Sequence, residues 1–182
     1  MKPFVKYVYI ILSIIFLFYL ILPNPEFPEQ LPVSIQSFEP ADIETPLRRG
    51  YYTDLTRNEV MNFYISQVNK SPFKNIPIPT YKLNYPPEEA QTLIRDQARS
   101  TFLEEIAHPM RESFFVNGFE PKQDKDMIEI EGKKWRQKII VRYLPSSIYY
   151  RLLVGILTLS IIPILYIYWT KCLRILLKET KH

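Results

Sequence analysis

Glu105 and His108 are the residues of this chain best suited by type and spacing to chemistry. They lie in the run Glu104-Glu105-Ile106-Ala107-His108-Pro109-Met110-Arg111-Glu112. On a helix, a spacing of three sets a carboxylate and an imidazole on one face, which is half of the signature that holds a di-iron carboxylate centre. Such a centre needs a second Glu-x-x-His and two further glutamates. The only other histidine is His182, so no metal and no cofactor is expected. The two residues stand as weak catalytic candidates, a carboxylate and an imidazole for acid–base work.

Other chemistries fare worse. No Gly-x-Ser-x-Gly nucleophile elbow is present. The four glycines, Gly50, Gly118, Gly132 and Gly155, form no phosphate-cradling loop. The single cysteine, Cys172, leaves the middle of the chain without disulfides. It reads as a small apolar residue at a helix end, with lipidation as the alternative.

The elements that position these residues follow from periodicity. Residues 47–148 read as one small α+β domain of about 100 residues, enough for one core. Its sheet is expected to be mainly antiparallel, with helices on one face. A strand is expected over 49–53. Thr56 and Glu59 form a capping box that opens a helix to about Asn69, with an apolar stripe of Val60, Met61, Tyr64, Ile65 and Val68. Tyr81, Leu83 and Tyr85 alternate as in a strand. Pro86 and Pro87 open a second helix, whose inward face would carry Ala90, Leu93, Ile94, Ala98, Phe102 and Ile106. Pro109 would kink or restart it, and Asn117-Gly118 would cap it. Residues 127–131 and 134–143 read as a hairpin about Gly132-Lys133, pairing Glu131 with Lys134, Ile130 with Trp135 and Glu129 with Arg136. Ile128, Ile130, Trp135, Ile139, Val141 and Tyr143 would then face the core.

Two uncharged apolar runs frame this domain, residues 7–22 and 152–170. A hydrocarbon layer of about 30 Å needs roughly 20 helical residues, so the expected spans are 7–22 and 149–170. No small-x-small cleavage pattern follows the first run, which therefore reads as an uncleaved signal anchor. Tyr149, Tyr150 and Trp169 sit where interfacial aromatics belong. Lys2, Lys6, Arg151, Lys171, Arg174 and Lys178 are the expected charged interface residues. Residues 23–46 contain six prolines, so an extended stalk is expected rather than a helix.

Charge sets the orientation. The net charge is +4. The flanks hold seven basic residues and one acidic residue, and the middle (24–148) holds 16 basic and 18 acidic residues. The excess therefore belongs to the membrane flanks and marks cytoplasmic ends (1–6 and 171–182), not nucleic-acid binding. The expected location is the plasma membrane, with two spans, both termini cytoplasmic and the domain outside. The tail 171–182 reads as a basic amphipathic segment on the inner leaflet. The charged run holding Arg95, Asp96, Arg99 and Arg111 offers a docking surface, against the plainer alternative of a solvated helix face. A basic strand, Lys133, Lys134, Arg136, Lys138 and Arg142, offers contact with phospholipid.

The apolar runs 7–22 and 152–170 contain no charged residue and offer no ion path. The sequence thus points to a protein that works by assembly, as subunit or scaffold of a cell-envelope complex. Its partners would be membrane lipid and other membrane or envelope proteins, or further copies of itself. The alternatives are an outer-face enzyme acting on lipid or cell-wall material through Glu105 and His108, and a channel subunit.

Overall fold

A computed structural model describes residues 3–69, 80–86 and 100–179. The chain divides into two compact units, a helix pair (1–23 with 146–182) and a sheet domain (24–145).

The helix pair consists of α1 (Pro3–Ile21) and α3 (Ile148–Glu179). Both are long and apolar enough to cross a membrane. The last turn of α1 lies against the first turns of α3. A Cβ added at Gly155 would stand 2.4 Å from Leu20 Cδ1, so the missing side chain is what admits Leu20. The Tyr9 hydroxyl donates to the Leu159 carbonyl. Thr158 and Ser160 donate back to carbonyls of their own helix, so neither leaves a bare hydroxyl in the apolar stretch. Pro163 lies within α3 without ending it. The expected tail is no separate element either, because α3 continues unbroken to Glu179.

The sheet domain is a six-stranded antiparallel sheet of order β1-β2-β8-β5-β4-β3. Its strands are β1 (Ser34–Ser37), β2 (Arg48–Thr53), β3 (Tyr81–Tyr85), β4 (Phe102–Ala107), β5 (Ser113–Phe119) and β8 (Gln137–Leu144). The helix α2 (Arg57–Val68) covers one face. The Thr56 hydroxyl accepts from the Glu59 amide, and the Glu59 carboxylate accepts from the Thr56 amide, which is the expected capping box. Such a cap contributes about 1 kcal/mol. Val60, Met61, Tyr64 and Val68 then enter one core with Tyr51, Phe102, Ile106, Phe114, Val116, Ile139, Val141 and Tyr143. Each fully buried aliphatic side chain there contributes about 1.5–3 kcal/mol relative to exposure.

Four expectations are corrected. Phe102 and Ile106 lie on strand β4, not on a helix. Glutamate, leucine and alanine favour helix locally, but β4 sits between β5 and β3, and its ladders override that propensity. Asn117-Gly118 is no helix cap; both residues lie within β5. A Cβ at Gly118 would stand 2.0 Å from the Phe102 ring, so the glycine makes room for its cross-strand partner. The proline-rich segment is not a free stalk. It buries Leu31, packs Phe27 against the core and supplies β1. Prolines exclude helix there, as expected, yet they do not prevent packing.

The fourth correction concerns the hairpin, whose turn falls one residue earlier than expected. A two-stranded sheet pairs β6 (Ile128–Ile130) with β7 (Lys133–Trp135), matching Ile130 with Lys133, Glu129 with Lys134 and Ile128 with Trp135. Glu131 and Gly132 both take positive φ, 54° and 73°, the backbone that suits strand twist in a two-residue turn. The expected second strand also breaks at Arg136, and β8 beyond it joins the large sheet. Ile139, Val141 and Tyr143 are buried as expected, and Ile140 between them is buried too.

Residues 70–79 and 87–99, including the docking candidates Arg95, Asp96 and Arg99 and most of the second expected helix, lie outside the described residues. So do Lys2 and the Lys178 side chain.

Candidate functional site

The acidic strand β4 and the turn after it hold a dense group of buried ionisable side chains. The turn positions them. The His108 amide donates to the Glu112 carbonyl at 3.0 Å, and the Arg111 amide donates to the His108 carbonyl at 2.9 Å. Met110 takes φ 59° to close the bend. This fold-back sets three side chains together. His108 Nδ1 lies 2.6 Å from Glu112 Oε1, and Arg111 Nε donates to Glu112 Oε2 at 3.1 Å. The His108, Arg111 and Glu112 side chains are 1%, 0% and 2% exposed. Burial alone would push the Glu112 carboxyl up, but the hydrogen bond from His108 and the Arg111 charge outweigh it and hold Glu112 below the usual glutamate range.

The two glutamates of β4 point to opposite faces, as strand neighbours do. Glu104 faces α2 and is met by two cations, Arg57 and Lys82, the latter at 2.6 Å. The Arg57 guanidinium also donates to Asn84 Oδ1 at 2.6 Å and lies 4.8 Å from the Phe102 ring centroid. Glu105, on the other face, accepts from the Tyr85 hydroxyl. The expected Glu105–His108 pairing is therefore absent from the hydrogen bonds and ion pairs of both residues: the carboxylate beside His108 is that of Glu112. Arg111 presents no guanidinium to solvent.

A second polar cluster lies where residues 38–47 fold over β2. The Asp42 carboxylate accepts from Ser37 at 2.6 Å and faces Lys138 Nζ at 2.7 Å. Lys138 also reaches Glu39 at 2.9 Å, and the Tyr52 hydroxyl donates to Glu39 at 2.6 Å. A Cβ at Gly50 would come within 2.7 Å of Asp42, so only glycine leaves room for this carboxylate against the strand. Sequence reasoning missed Asp42, since an aspartate in a proline-rich stretch carries no burial signal. Glu104 shares the period-2 face of Phe102 and Ile106, but the adjacent buried Glu105 hides that alternation in the sequence.

The arrangement closes charges on one another rather than presenting them. The cavity that Glu112 and Tyr143 line has about 10 Å³ of room, the space of a single water. An open cleft of about 520 Å³ lies elsewhere, beside Ser100, Thr101, Glu120 and Lys122. One of its acids, Glu120, is held by Arg136 at 2.9 Å. Among the described residues, no three His, Cys, Asp or Glu side chains stand together as metal ligands.

The basic strand is largely neutralised. Lys133 pairs with Asp54 at 2.7 Å, Arg136 with Glu120, and Lys138 with Asp42 and Glu39. Lys134 and Arg142 have no acidic partner among the described residues. The interface candidates Lys6, Tyr149, Tyr150, Trp169, Lys171 and Arg174 are exposed on their helices. Arg151 is buried instead.

Compared with protein-family models, curated proteins and solved structures, the chain matches none.

Proposed function

We propose that this is a two-span membrane protein whose sheet domain lies outside the cytoplasmic membrane and works by assembly, as a subunit or scaffold of a cell-envelope complex. The observation that carries this reading is the closure of the buried charges. Glu104, Glu112 and Asp42 are each spent on cations of the same fold, and the space beside Glu112 admits no more than a water. Groups arranged in this way serve to specify a packed structure rather than to face a substrate.

Two further observations support the membrane part. Both helices carry their large apolar side chains exposed, which lipid accommodates and water does not. The basic excess outside the sheet domain suits cytoplasmic ends. The partners are membrane lipid and either further copies of this chain or other envelope proteins.

The test is the mass of the full chain after gentle detergent extraction from its native membrane. A complex larger than the 21.7 kDa chain, with stoichiometric protein components, is the expected result. A monomer with nothing bound overturns the proposal.

A further inference from the structure

Arg151 sits at an unusual place for a buried cation. It is the fourth residue of α3 and 3% exposed. A positive charge in the first turn of a helix opposes the helix dipole. Its surroundings explain it. One guanidinium nitrogen donates to the Leu22 carbonyl at 3.1 Å, with a longer 3.5 Å contact to the Leu20 carbonyl. The other donates to the Ser146 carbonyl at 2.7 Å. Leu20 and Leu22 belong to the end of α1, where carbonyls lack helical partners and the dipole is negative. A guanidinium is suited to this task, since it stays charged and presents its donors as a planar fork.

The accepting residues bracket the sheet domain in the chain. Leu22 is next to the last residue of the first arm of the helix pair, and Ser146 is the first residue of the second. We propose that Arg151 is a clasp. It ties the point where the chain leaves the helix pair to the point where it returns, so that α1 and α3 behave as one packed hairpin rather than as two independent anchors. The Gly155–Leu20 contact extends the same seam one turn further along α3. The clasp also removes Arg151 from the set of free basic residues flanking the helices.

Disulfide trapping in the full-length protein in membranes tests this. The background replaces Cys172→Ser, Leu20→Cys and Gly155→Cys; trimming Leu20 makes the room that the new side chain at 155 requires. With Arg151 present, the pair should oxidise rapidly within one chain. Arg151→Met should slow trapping about tenfold, with Trp135 fluorescence, read in a Trp169→Phe background, showing that the sheet domain is still folded. Arg151→Lys keeps the charge but not the fork and should fall between. Trapping of Arg151→Met at the parent rate overturns the proposal. If Arg151→Met unfolds the sheet domain, the lysine variant decides: a rate between those of the other two supports the clasp, and the parent rate overturns it.

Discussion

The helix pair and the sheet domain neutralise buried charge in different ways. In the helix pair, Arg151 is met by main-chain carbonyls. In the sheet domain, Asp42, Glu104 and Glu112 are met by cationic side chains. Carbonyls do not titrate and cannot be mutated away, so these contacts are broken by changing Arg151 itself. The side-chain solution can be broken at either partner, and at Glu112 by acid. Two consequences separate the units experimentally, and the first should be large.

Removing Glu112 should have the greatest effect. Glu112→Ala leaves Arg111 buried without its counter-charge and His108 without its hydrogen-bond partner, which costs about 3–5 kcal/mol. Domains are commonly stable by about 5–15 kcal/mol, so denaturant titration should show the sheet domain close to collapse. Replacing the group together, His108→Leu, Arg111→Met and Glu112→Leu, should recover most of that loss, because well-packed apolar residues can stand in for a buried ionic group. Assembly that survives in the triple variant marks the cluster as structural. Assembly lost while stability returns would give the cluster a direct role.

Acid should separate the two units next. Glu39, Asp54 and Glu112 are all held below their ordinary carboxyl values. The Tyr52 hydroxyl and then Lys138 do this for Glu39. Lys133 and the Arg136 amide do it for Asp54, and His108 and Arg111, against burial, do it for Glu112. A carboxyl lowered in the folded state stabilises the fold above its unfolded pKa, and that stability is lost as pH falls through the folded value. The melting temperature of the sheet domain should therefore hold down to the ordinary glutamate value of 4.5 and decline below it. The separation of spin labels placed on α1 and α3, a readout that needs no thiolate, should not change over the same range. A parallel change in both would erase the distinction.

How much of this was legible from residues alone depends on whether the signal was local. The α2 cap rests on Thr56 and Glu59, three residues apart, and its buried stripe repeats at helical spacing, so both were readable. The buried positions Ile139, Val141 and Tyr143 of β8 were readable for the same reason. By contrast, β4 carries Glu104 and Glu105 where a half-buried strand would show one polar face, and both are buried. Their cations, Arg57 and Lys82, and the Tyr85 hydroxyl come from distant segments. With the alternation hidden, the helix-favouring composition misled. The site failed with it: Glu105-x-x-His108 is a pair only on a helix, and on a strand ending in a turn His108 meets Glu112 instead. The hairpin slipped because Glu131 accepts a positive φ that turn preferences reserve for glycine, asparagine or aspartate.

Smaller effects are expected where glycine makes room for a neighbour in each unit. Gly118→Ala drives a Cβ into the buried Phe102 ring, and the overpacking should cost about 1–3 kcal/mol. Gly155→Ala crowds the end of the Leu20 side chain, which can turn aside, and makes ordinary contact with Phe16 and Leu17. Its cost should be lower, and it should show as a modest slowing of trapping between labels placed elsewhere on the seam. A larger loss at Gly155 than at Gly118 would mean that the helix pair is packed as tightly as the sheet core.

The smallest effects should come from the cations of β7 and β8, which grade the comparison within one stretch of chain. Lys138 is 17% exposed and lies between two acids, so it belongs with the buried pairs. Lys133 and Arg136 also have acidic partners, but in solvent, where a pair contributes about 0–1 kcal/mol. Lys134 and Arg142 are exposed with no acidic partner among the described residues. Lys134→Ala and Arg142→Ala should shift unfolding by no more than about 0.5 kcal/mol, with little response to added salt. If either proves as costly as Lys138→Ala, exposure does not govern charge energetics in this domain, and the contrast with the helix pair needs another cause.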